Sequence, residues 1–520
     1  MMADVTDHPP SNGPSTRPSN VIVVLLDSLN RHLVGAYGST EFETPNLDRL
    51  AARSVRFTRH HTGSLPCMPA RHDILVGALD FLWRPWGSIE VWEDAITYSL
   101  RRAGITSMLV SDHPHLFEVG GENYHTDFYA WHYTRGHEGD PWRTRPDPSW
   151  AGTPALPAAP GRRHMPYDDS RTWFRSEDDF PGPQTMRRAA EWLRESVGAH
   201  DRFFLFVDEF DPHEPFDTPE RWATKYDDTW EGERIIWPPY VVGAIEKGVL
   251  TEREARHIRA NYGAKLSMID HHLGSVLDAV DDLGLWDDTA FVLCTDHGHY
   301  LGERDAFGKP GLPVHRELGH IPMLIAWPGV APGECDALTT AVDIHATVAD
   351  VFGVEPEHPT HGRSLAPVLT GDVDGVRDHL LTGYWGRAVH VIDRDTAYGR
   401  APVGENAPLV MWSNRWSTMP VHSMPELRLP RPDRRATLDH LPQTGDVPVI
   451  RQPFAPGDLL PFWAYGTPVD DHLLFDVDRD PLETENLAGS PRERAAVDLL
   501  RAALDEVDAP KEQLERLGIA

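Results

Sequence analysis

Val21-Ile22-Val23-Val24-Leu25-Leu26-Asp27 is a continuous β-branched and aliphatic run closed by a carboxylate. A run without apolar/polar alternation fits a strand buried on both faces, the kind found in parallel α/β sheets. Three further apolar runs end in the same way. Residues 106–110 empty into Ser111-Asp112-His113-Pro114-His115, residues 203–207 into Asp208-Glu209-Phe210-Asp211-Pro212-His213-Glu214-Pro215, and residues 290–294 into Thr295-Asp296-His297-Gly298-His299. In open, mostly parallel sheets the site lies outside the carboxyl ends of the strands, so clusters far apart in sequence would meet on one edge. The chain holds 28 histidines, so any single one says little. Four polar clusters at four strand ends say more.

The segments between these strands read as helices. Thr44-Pro45 looks like an N-cap and an N1 proline for a helix over 46–53, and helices are expected over 93–103, 186–196 and 343–352. Thr251-Glu252-Arg253-Glu254 is a capping box opening a long helix to about residue 283, with Leu266, Ile269, Leu273, Val276, Leu277 and Val280 at helical spacing. A strand is expected over 321–327. Residues 125–180 are rich in Trp, Pro, Arg and Gly and are expected to form a long loop excursion over the core. The fold class expected is α/β: a large mixed, mostly parallel sheet flanked by helices, with a smaller α+β C-terminal domain. A disordered segment over 1–19, a catalytic domain over 20–372 and a C-terminal subdomain over 373–520 are the expected divisions.

A second stretch brings chemistry. Ser64-Leu65-Pro66-Cys67-Met68-Pro69-Ala70-Arg71-His72-Asp73-Ile74-Leu75-Val76-Gly77 places a thiol, a fixed turn and a guanidinium within five residues. Pro69 favours a helical first turn, so a short helix is expected to begin just after Cys67 and stop at Gly77. Cys67 would then face the partly positive end of that helix, and Arg71 adds a fork that matches tetrahedral oxyanions.

Composition narrows the function classes. Across 520 residues, 49 basic against 80 acidic side chains give a formal charge of −31, which argues against nucleic acid or an anionic membrane as an obligate partner. Three cysteines cannot build a disulfide framework and fit a reducing compartment, so a cytoplasmic location is expected. The first twenty residues are polar, without the apolar stretch of a signal peptide, and no run is long enough to span a membrane.

Taken together, Cys67-Met68-Pro69-Ala70-Arg71, the strand ending in Asp27, Asp211-Pro212-His213, Asp296-His297-Gly298 and Phe307-Gly308-Lys309-Pro310 resemble the formylglycine-dependent sulfatases of the alkaline phosphatase superfamily. The resemblance runs over most of the chain, to Asp476-Asp478-Asp480-Pro481 near its end. It implies the alkaline phosphatase-like fold, a small sulfated substrate, and oxidation of Cys67 by a formylglycine-generating maturation enzyme to 3-oxoalanine, whose hydrate supplies the nucleophilic hydroxyl. It also implies one divalent metal, calcium first with magnesium or manganese as alternatives, held by Asp27, modified Cys67, Asp296 and His297. By position, Arg71 holds the hydrated aldehyde and the metal-site geometry, His115 acts as general base, His213 helps protonate the leaving oxygen, and Lys309 binds a sulfate oxygen.

Four positions depart from the usual pattern of that family. Ser28 stands where a second aspartate is frequent, which removes a hard ligand. His113 stands where a lysine is common, and as a substrate-binding group it would make sulfate affinity fall as pH rises through its pKa. Ala70 replaces a frequent serine, and His297 replaces a frequent asparagine. Phosphonate monoester hydrolases and phosphodiesterases of the superfamily share Asp-His at the last of these, so they form the alternative reading. A noncatalytic binding protein that keeps the fold is the third. The residues do not identify the esterified alcohol, and they leave the oligomeric state open.

Overall fold

The computed structural model describes residues 17–149, 166–416, 431–460 and 471–520. Among the described residues the largest sheet has eight strands: β1 (Asn20–Leu26), β2 (Val55–His61), β4 (Thr106–Ser111), β5 (Ala130–Tyr133), β6 (Phe203–Glu209), β8 (Thr289–Cys294), β11 (Met323–Ala326) and β12 (Gly333–Thr340). They lie in the order β12-β2-β11-β8-β1-β6-β4-β5. All pairings in it are parallel except those of β11, which runs antiparallel to both β8 and β2.

The reading of β1 as buried on both faces holds, and packing shows why its sequence does not alternate. Ile22, Val24 and Leu26 face a core shared with Leu266, Ile269 and Leu273 of the helix Glu252–Asp282 and with Met186 and Leu193 of the helix Pro181–Ser196. Val21, Val23 and Leu25 face the opposite core, with Ile74 and Leu75 of the helix Cys67–Val76, Leu100 of Ile96–Arg102, and Ile344 and Val348 of Val342–Phe352. Each such side chain removed from water contributes about 1.5–3 kcal/mol, so both faces of the strand are under the same demand for apolar residues. The long helix opens on the expected box: Thr251 accepts from Glu254 N–H, and the Glu254 carboxylate accepts from Thr251 N–H at 2.7 Å.

Three strands of the large sheet are not legible in the sequence: β2, β5 and β12, the last of which pairs in parallel with β2. β2 (Val-Arg-Phe-Thr-Arg-His-His) reads as a polar segment, yet it pairs on both sides, with β12 and β11. The excursion expected over 125–180 is not all loop, because Ala130–Tyr133 adds the edge strand β5 beside β4. Helix 93–103 is shorter than expected, spanning Ile96–Arg102, because the backbone at Ala95 is extended (φ −60°, ψ 148°) and only then turns helical.

The C-terminal part contributes β13 (His379–Tyr384), β14 (Val389–Asp393), β15 (Thr396–Arg400) and β19 (Leu473–Asp476) to a sheet whose last strand, β3 (Ser64–Leu65), comes from the segment just before Cys67. Gly383 and Tyr384 pair in parallel with Ser64 and Leu65. A small sheet joins β16 (Leu409–Trp412), β17 (Thr437–Asp439) and β18 (Val449–Phe454), and another joins β7 (Val241–Val242), β9 (Tyr300–Leu301) and β10 (Ala306–Gly308). Of the segment expected to be disordered over 1–19, residues 1–16 lie outside the described residues, and Ser19 N–H donates to Asp288 O at 2.7 Å. Part of the Pro-rich C-terminal region, 417–430 and 461–470, also lies outside them.

Candidate active site

Neighbouring strands deliver the functional side chains to one edge. In register, Leu25 lies beside both Asp208 and Cys294, and Ser111 beside Asp208, so Asp27, Asp208, Asp296 and the His113–His115 turn leave the sheet at adjacent points. The helix that bears the thiol begins at Cys67 itself, one position earlier than expected, and ends at Gly77, whose φ of 79° caps it. Its start is pinned from inside: Asp73 accepts from Ser64 N–H at 2.6 Å and from the Ser64 hydroxyl at 2.7 Å, while β3 pairs with β13.

Arg71 is the hub. Its side chain is fully buried, and its guanidinium forks onto Asp208, with Nε donating to Oδ2 at 2.8 Å and Nη2 to Oδ1 at 2.7 Å. Nη1 donates to Asp296 Oδ2 at 2.8 Å and to Cys67 O at 3.2 Å, and Nη2 lies 3.0 Å from Asp27 Oδ2. One cation therefore faces three buried carboxylates. Sequence reading placed Arg71, Asp27 and Asp296 here but gave no role to Asp208, which is the strongest partner of the guanidinium. Its only sequence signal was its position at the end of an apolar strand.

Asp27, Cys67, Asp296 and His297 converge so that one ligand atom from each lies within 4.8 Å of the others. The surroundings fit a cation. Asp27 Oδ2 is buried and, beyond the 3.0 Å ion-pair contact with Arg71 Nη2, makes no hydrogen bond, and burial together with Asp296 raises the Asp27 carboxyl well above the ordinary carboxylate range despite Arg71 and Lys309. His297 Nδ1–H is aimed at Gly298 O at 2.9 Å, which leaves Nε2 with a free lone pair 3.3 Å from Cys67 Sγ. Burial keeps that imidazole neutral, at about 4, against the pull of Asp296. Ser28, the missing acid of the usual pattern, takes a different role: its hydroxyl donates to Asp27 Oδ1 at 2.8 Å and its N–H to Asp296 Oδ1 at 3.0 Å.

Lys309 adjoins this cluster. It follows β10, and Gly308, with φ of 73°, leaves room for the Tyr240 ring, which a Cβ there would meet at 2.3 Å. Lys309 Nζ lies 5.5 Å from the centre of that ring, 2.8 Å from His213 Nε2 and 3.5 Å from Ser28 Oγ. His213 Nδ1 contacts Glu214 O at 2.8 Å, so Nδ1 carries the hydrogen and Nε2 accepts from the ammonium. Burial holds His213 well below its ordinary value. Burial also opposes the charge on Lys309, but Tyr240, Cys67, Glu214 and Asp27 outweigh it and raise the amine. The proton of this pair rests on Lys309. Tyr240 and Glu214, for which the sequence predicts no role, join here: the Tyr240 hydroxyl donates to Glu214 Oε1.

His113 and His115 pack differently. The His113 ring lies 4.7 Å from Phe210, whose ring also stacks on His213 at 4.2 Å, and neither His113 nitrogen has a partner. Burial, then Arg71 and His115, hold its pKa well below the ordinary value, so it is a neutral imidazole rather than a titratable stand-in for lysine. The expected loss of sulfate affinity with rising pH therefore does not follow from His113. His115 goes the other way: burial disfavours its charge, but Glu138 and Glu118 prevail and raise it. Nδ1 lies 2.5 Å from Glu118 Oε1 and Nε2 3.4 Å from Glu138 Oε2, an environment that favours the imidazolium over the free base. Asp211, read together with His213, instead pairs with Lys265 and His137, each at 2.7 Å.

Comparison with known proteins follows the same lines. The Sulfatase family model matches residues 19–354. A choline-sulfatase of Rhizobium meliloti is 28% identical over 394 residues, covering 69% of this chain and 72% of that protein. A multifunctional alkaline phosphatase superfamily protein of Trinickia caryophylli, PehA, is 26% identical over 413 residues, covering 67% and 77%. Among solved structures, a phosphonate monoester hydrolase from Silicibacter pomeroyi superposes with a TM-score of 0.64 at 20% identity, covering 95% of this chain and 96% of that one. That likeness shows the fold.

Proposed function

This chain belongs to the sulfatase family and is a sulfuric ester hydrolase of the alkaline phosphatase superfamily, and we propose that its nucleophile is formylglycine made from Cys67. The observation that carries the reading is the placement of Cys67, buried with one ligand atom each of Asp27, Asp296 and His297 within 4.8 Å of its sulfur and of one another. Burial and the Asp27 carboxylate push Cys67 well above the ordinary thiol value, with Lys309 and Arg71 too weak to reverse it. The protein's own charges thus disfavour the thiolate that cysteine catalysis needs. The hydrated aldehyde needs no thiolate, and its two hydroxyls allow one to attack and the other to expel the product. Asp27, Asp296, His297 and the modified Cys67 would hold the divalent metal, calcium first with magnesium or manganese as alternatives, since hard carboxylate oxygens dominate the donor set. When bound, such an ion lowers the hydroxyl pKa and neutralises charge on the sulfuryl oxygens.

The chain's own groups do the rest. Lys309 offers its ammonium to a sulfate oxygen and, through His213 Nε2, holds the proton the leaving oxygen requires. His115 sits between Glu118 and Glu138, so its work as a base depends on those carboxylates taking up its proton. Arg71 fixes Asp27 and Asp296 relative to Cys67 O. The substrate is a small sulfate ester, with neither nucleic acid nor a membrane as partner and a maturation enzyme required beforehand. The three free cysteines support a cytoplasmic location. No helix among the described residues is long and apolar enough to cross a membrane.

The phosphorus-ester alternative keeps one specific support, the Asp296-His297 pair in the metal cluster. Rates on an aryl sulfate, a phosphonate monoester and a phosphodiester decide between them, and a preference for phosphorus would overturn the sulfatase choice. Peptide mass spectrometry of active protein should find the aldehyde at Cys67. Full activity with only the thiol present, or with Cys67→Ala, would refute the nucleophile.

A further inference from the structure

A second cluster of cations lies away from the catalytic residues, where the large sheet meets the C-terminal sheet. A cavity of about 330 Å³ is lined there by Arg31, Arg59, His61, Arg316 and His320 on one side and by Ile392 and Asp393 of β14 on the other. None of Asp27, Cys67, Asp296, His297 and Lys309 borders it. Among the described residues, none of the three arginines has a carboxylate within ion-pair distance.

Their orientation is set by neutral groups instead. The Arg31 guanidinium stacks 4.4 Å from the centre of the Tyr37 ring, Arg59 Nη1 donates to Arg394 O, and Arg316 Nη2 contacts His32 Nδ1 at 2.8 Å. Arg31 Nε, Arg316 Nε and His61 Nδ1 are buried with no partner. The two acids at the cavity are engaged elsewhere. Asp393 Oδ1 accepts from the N–H groups of Asp395 and Thr396 at 2.9 and 2.7 Å. Glu483 Oε2 takes His315 Nδ1 at 3.1 Å and the backbone N–H of Arg316 at 3.0 Å. The local field is accordingly positive. Burial, then Arg31 and Arg59, depress His61 to about 3, and burial, then Arg316 and Arg31, depress His32 to about 3. Buried polar groups without partners are costly, and the cost is greater where three guanidiniums share one cavity and neither lining carboxylate, Asp393 or Glu483, makes an ion pair with them.

We propose that this cavity is a second anion site, in which Arg31, Arg59 and Arg316 hold a free tetrahedral oxyanion, phosphate or sulfate, at the seam between the two sheets. The planar forks suit such an oxyanion, and the unpartnered Nε–H groups supply directional donors. Strands from both parts of the chain line the cavity, so the anion would tie them together.

Inorganic phosphate is the probe, titrated by calorimetry against the full-length protein in buffers of matched ionic strength, with competitive inhibition of turnover by phosphate measured in parallel. The wild type should bind one phosphate beyond the one that competes with substrate. Arg31→Gln and Arg59→Gln, each checked for fold by circular dichroism, should weaken the extra site at least about tenfold, the scale of one lost charge-assisted contact, and leave the inhibition constant unchanged. Two variants are used so that one misfolding leaves the other to decide. Absence of any saturable binding beyond the competing site, or an extra site unaffected by both substitutions, overturns the proposal.

Discussion

Replacing Asp208 tests whether Arg71 is positioned from behind rather than by the cluster it serves. The fork onto Asp208 consists of two hydrogen bonds of 2.8 and 2.7 Å between fully buried groups. Hydrogen bonds to charged groups contribute about 1.5–3 kcal/mol each, so their sum of about 3–6 kcal/mol overlaps the about 3–5 kcal/mol lost when a buried ion pair is broken. Asp27 and Asp296 still face the guanidinium, which argues for the lower end. Asp208→Ala should therefore lose about 3 kcal/mol of unfolding free energy. Asp208→Asn keeps one acceptor but turns an amide N–H₂ toward the fork, so it should fall short of wild type by about 2 kcal/mol. In both, Arg71 loses its anchor and competes more strongly for Asp27 and Asp296. Divalent-metal affinity and kcat/KM on an aryl sulfate should each drop by about tenfold, one charge-assisted contact's worth. Denaturant unfolding, metal titration and initial rates on the Asn variant read the three effects. A stability loss under about 1 kcal/mol with kcat/KM within a factor of two would refute the anchoring role.

Other expectations are more compact. Ser28 sits at φ 60°, a conformation aspartate tolerates, with its hydroxyl on Asp27 and its N–H on Asp296. Ser28→Asp should tighten divalent-metal binding by about tenfold or more through an added hard ligand, and unchanged or weaker affinity in a calorimetric titration would count against the cluster as the metal site. Buried His72 contacts Glu93 Oε2 at 2.9 Å and Ala78 O at 3.1 Å; burial disfavours its charge, but Asp80 and Glu93 lift it from 6.5 to about 9. A folded-state pKa raised in this way contributes stability that is fully present below pH 6.5 and lost as pH rises through about 9. The stability gap between wild type and His72→Gln should shrink by about 3 kcal/mol over that window, and a pH-independent gap in urea unfolding would reject it. Removing the ammonium with Lys309→Ala should raise KM and lower kcat together on any sulfate ester, whereas a change in KM alone would make Lys309 a ground-state binder only.

Two histidines separate what composition suggests from what packing decides. His113 and His115 are two residues apart on one turn, yet one is driven neutral by burial beside Arg71 and the other is held toward the cation by Glu118 and Glu138. No local rule distinguishes them, because the acids that decide the matter come from outside the turn or from its far end. Strand β2 was missed for a similar reason. Its arginines and histidines look solvent-facing, and only pairing with β11 and β12, together with the seam against the C-terminal sheet, gives them an inward role.

The sequence by itself determined the central strands of the sheet, because a strand packed on both faces must be apolar throughout, and a strand that ends in Asp or Asp-His announces an edge where chemistry can gather. It also determined Asp27, Cys67, Arg71, Asp296, His297, His213 and Lys309 as candidates, since their residue types and spacings carry the family pattern. Only the tertiary structure decided charge and partnership: Asp208 as the anchor of Arg71, Ser28 as a hydrogen-bond donor in place of an acid, the proton on Lys309 rather than His213, and the protonated thiol of Cys67. The physical reason is that protonation in a buried site depends on the sum of desolvation and of every charge within a few ångströms, and those charges arrive from strands hundreds of residues apart.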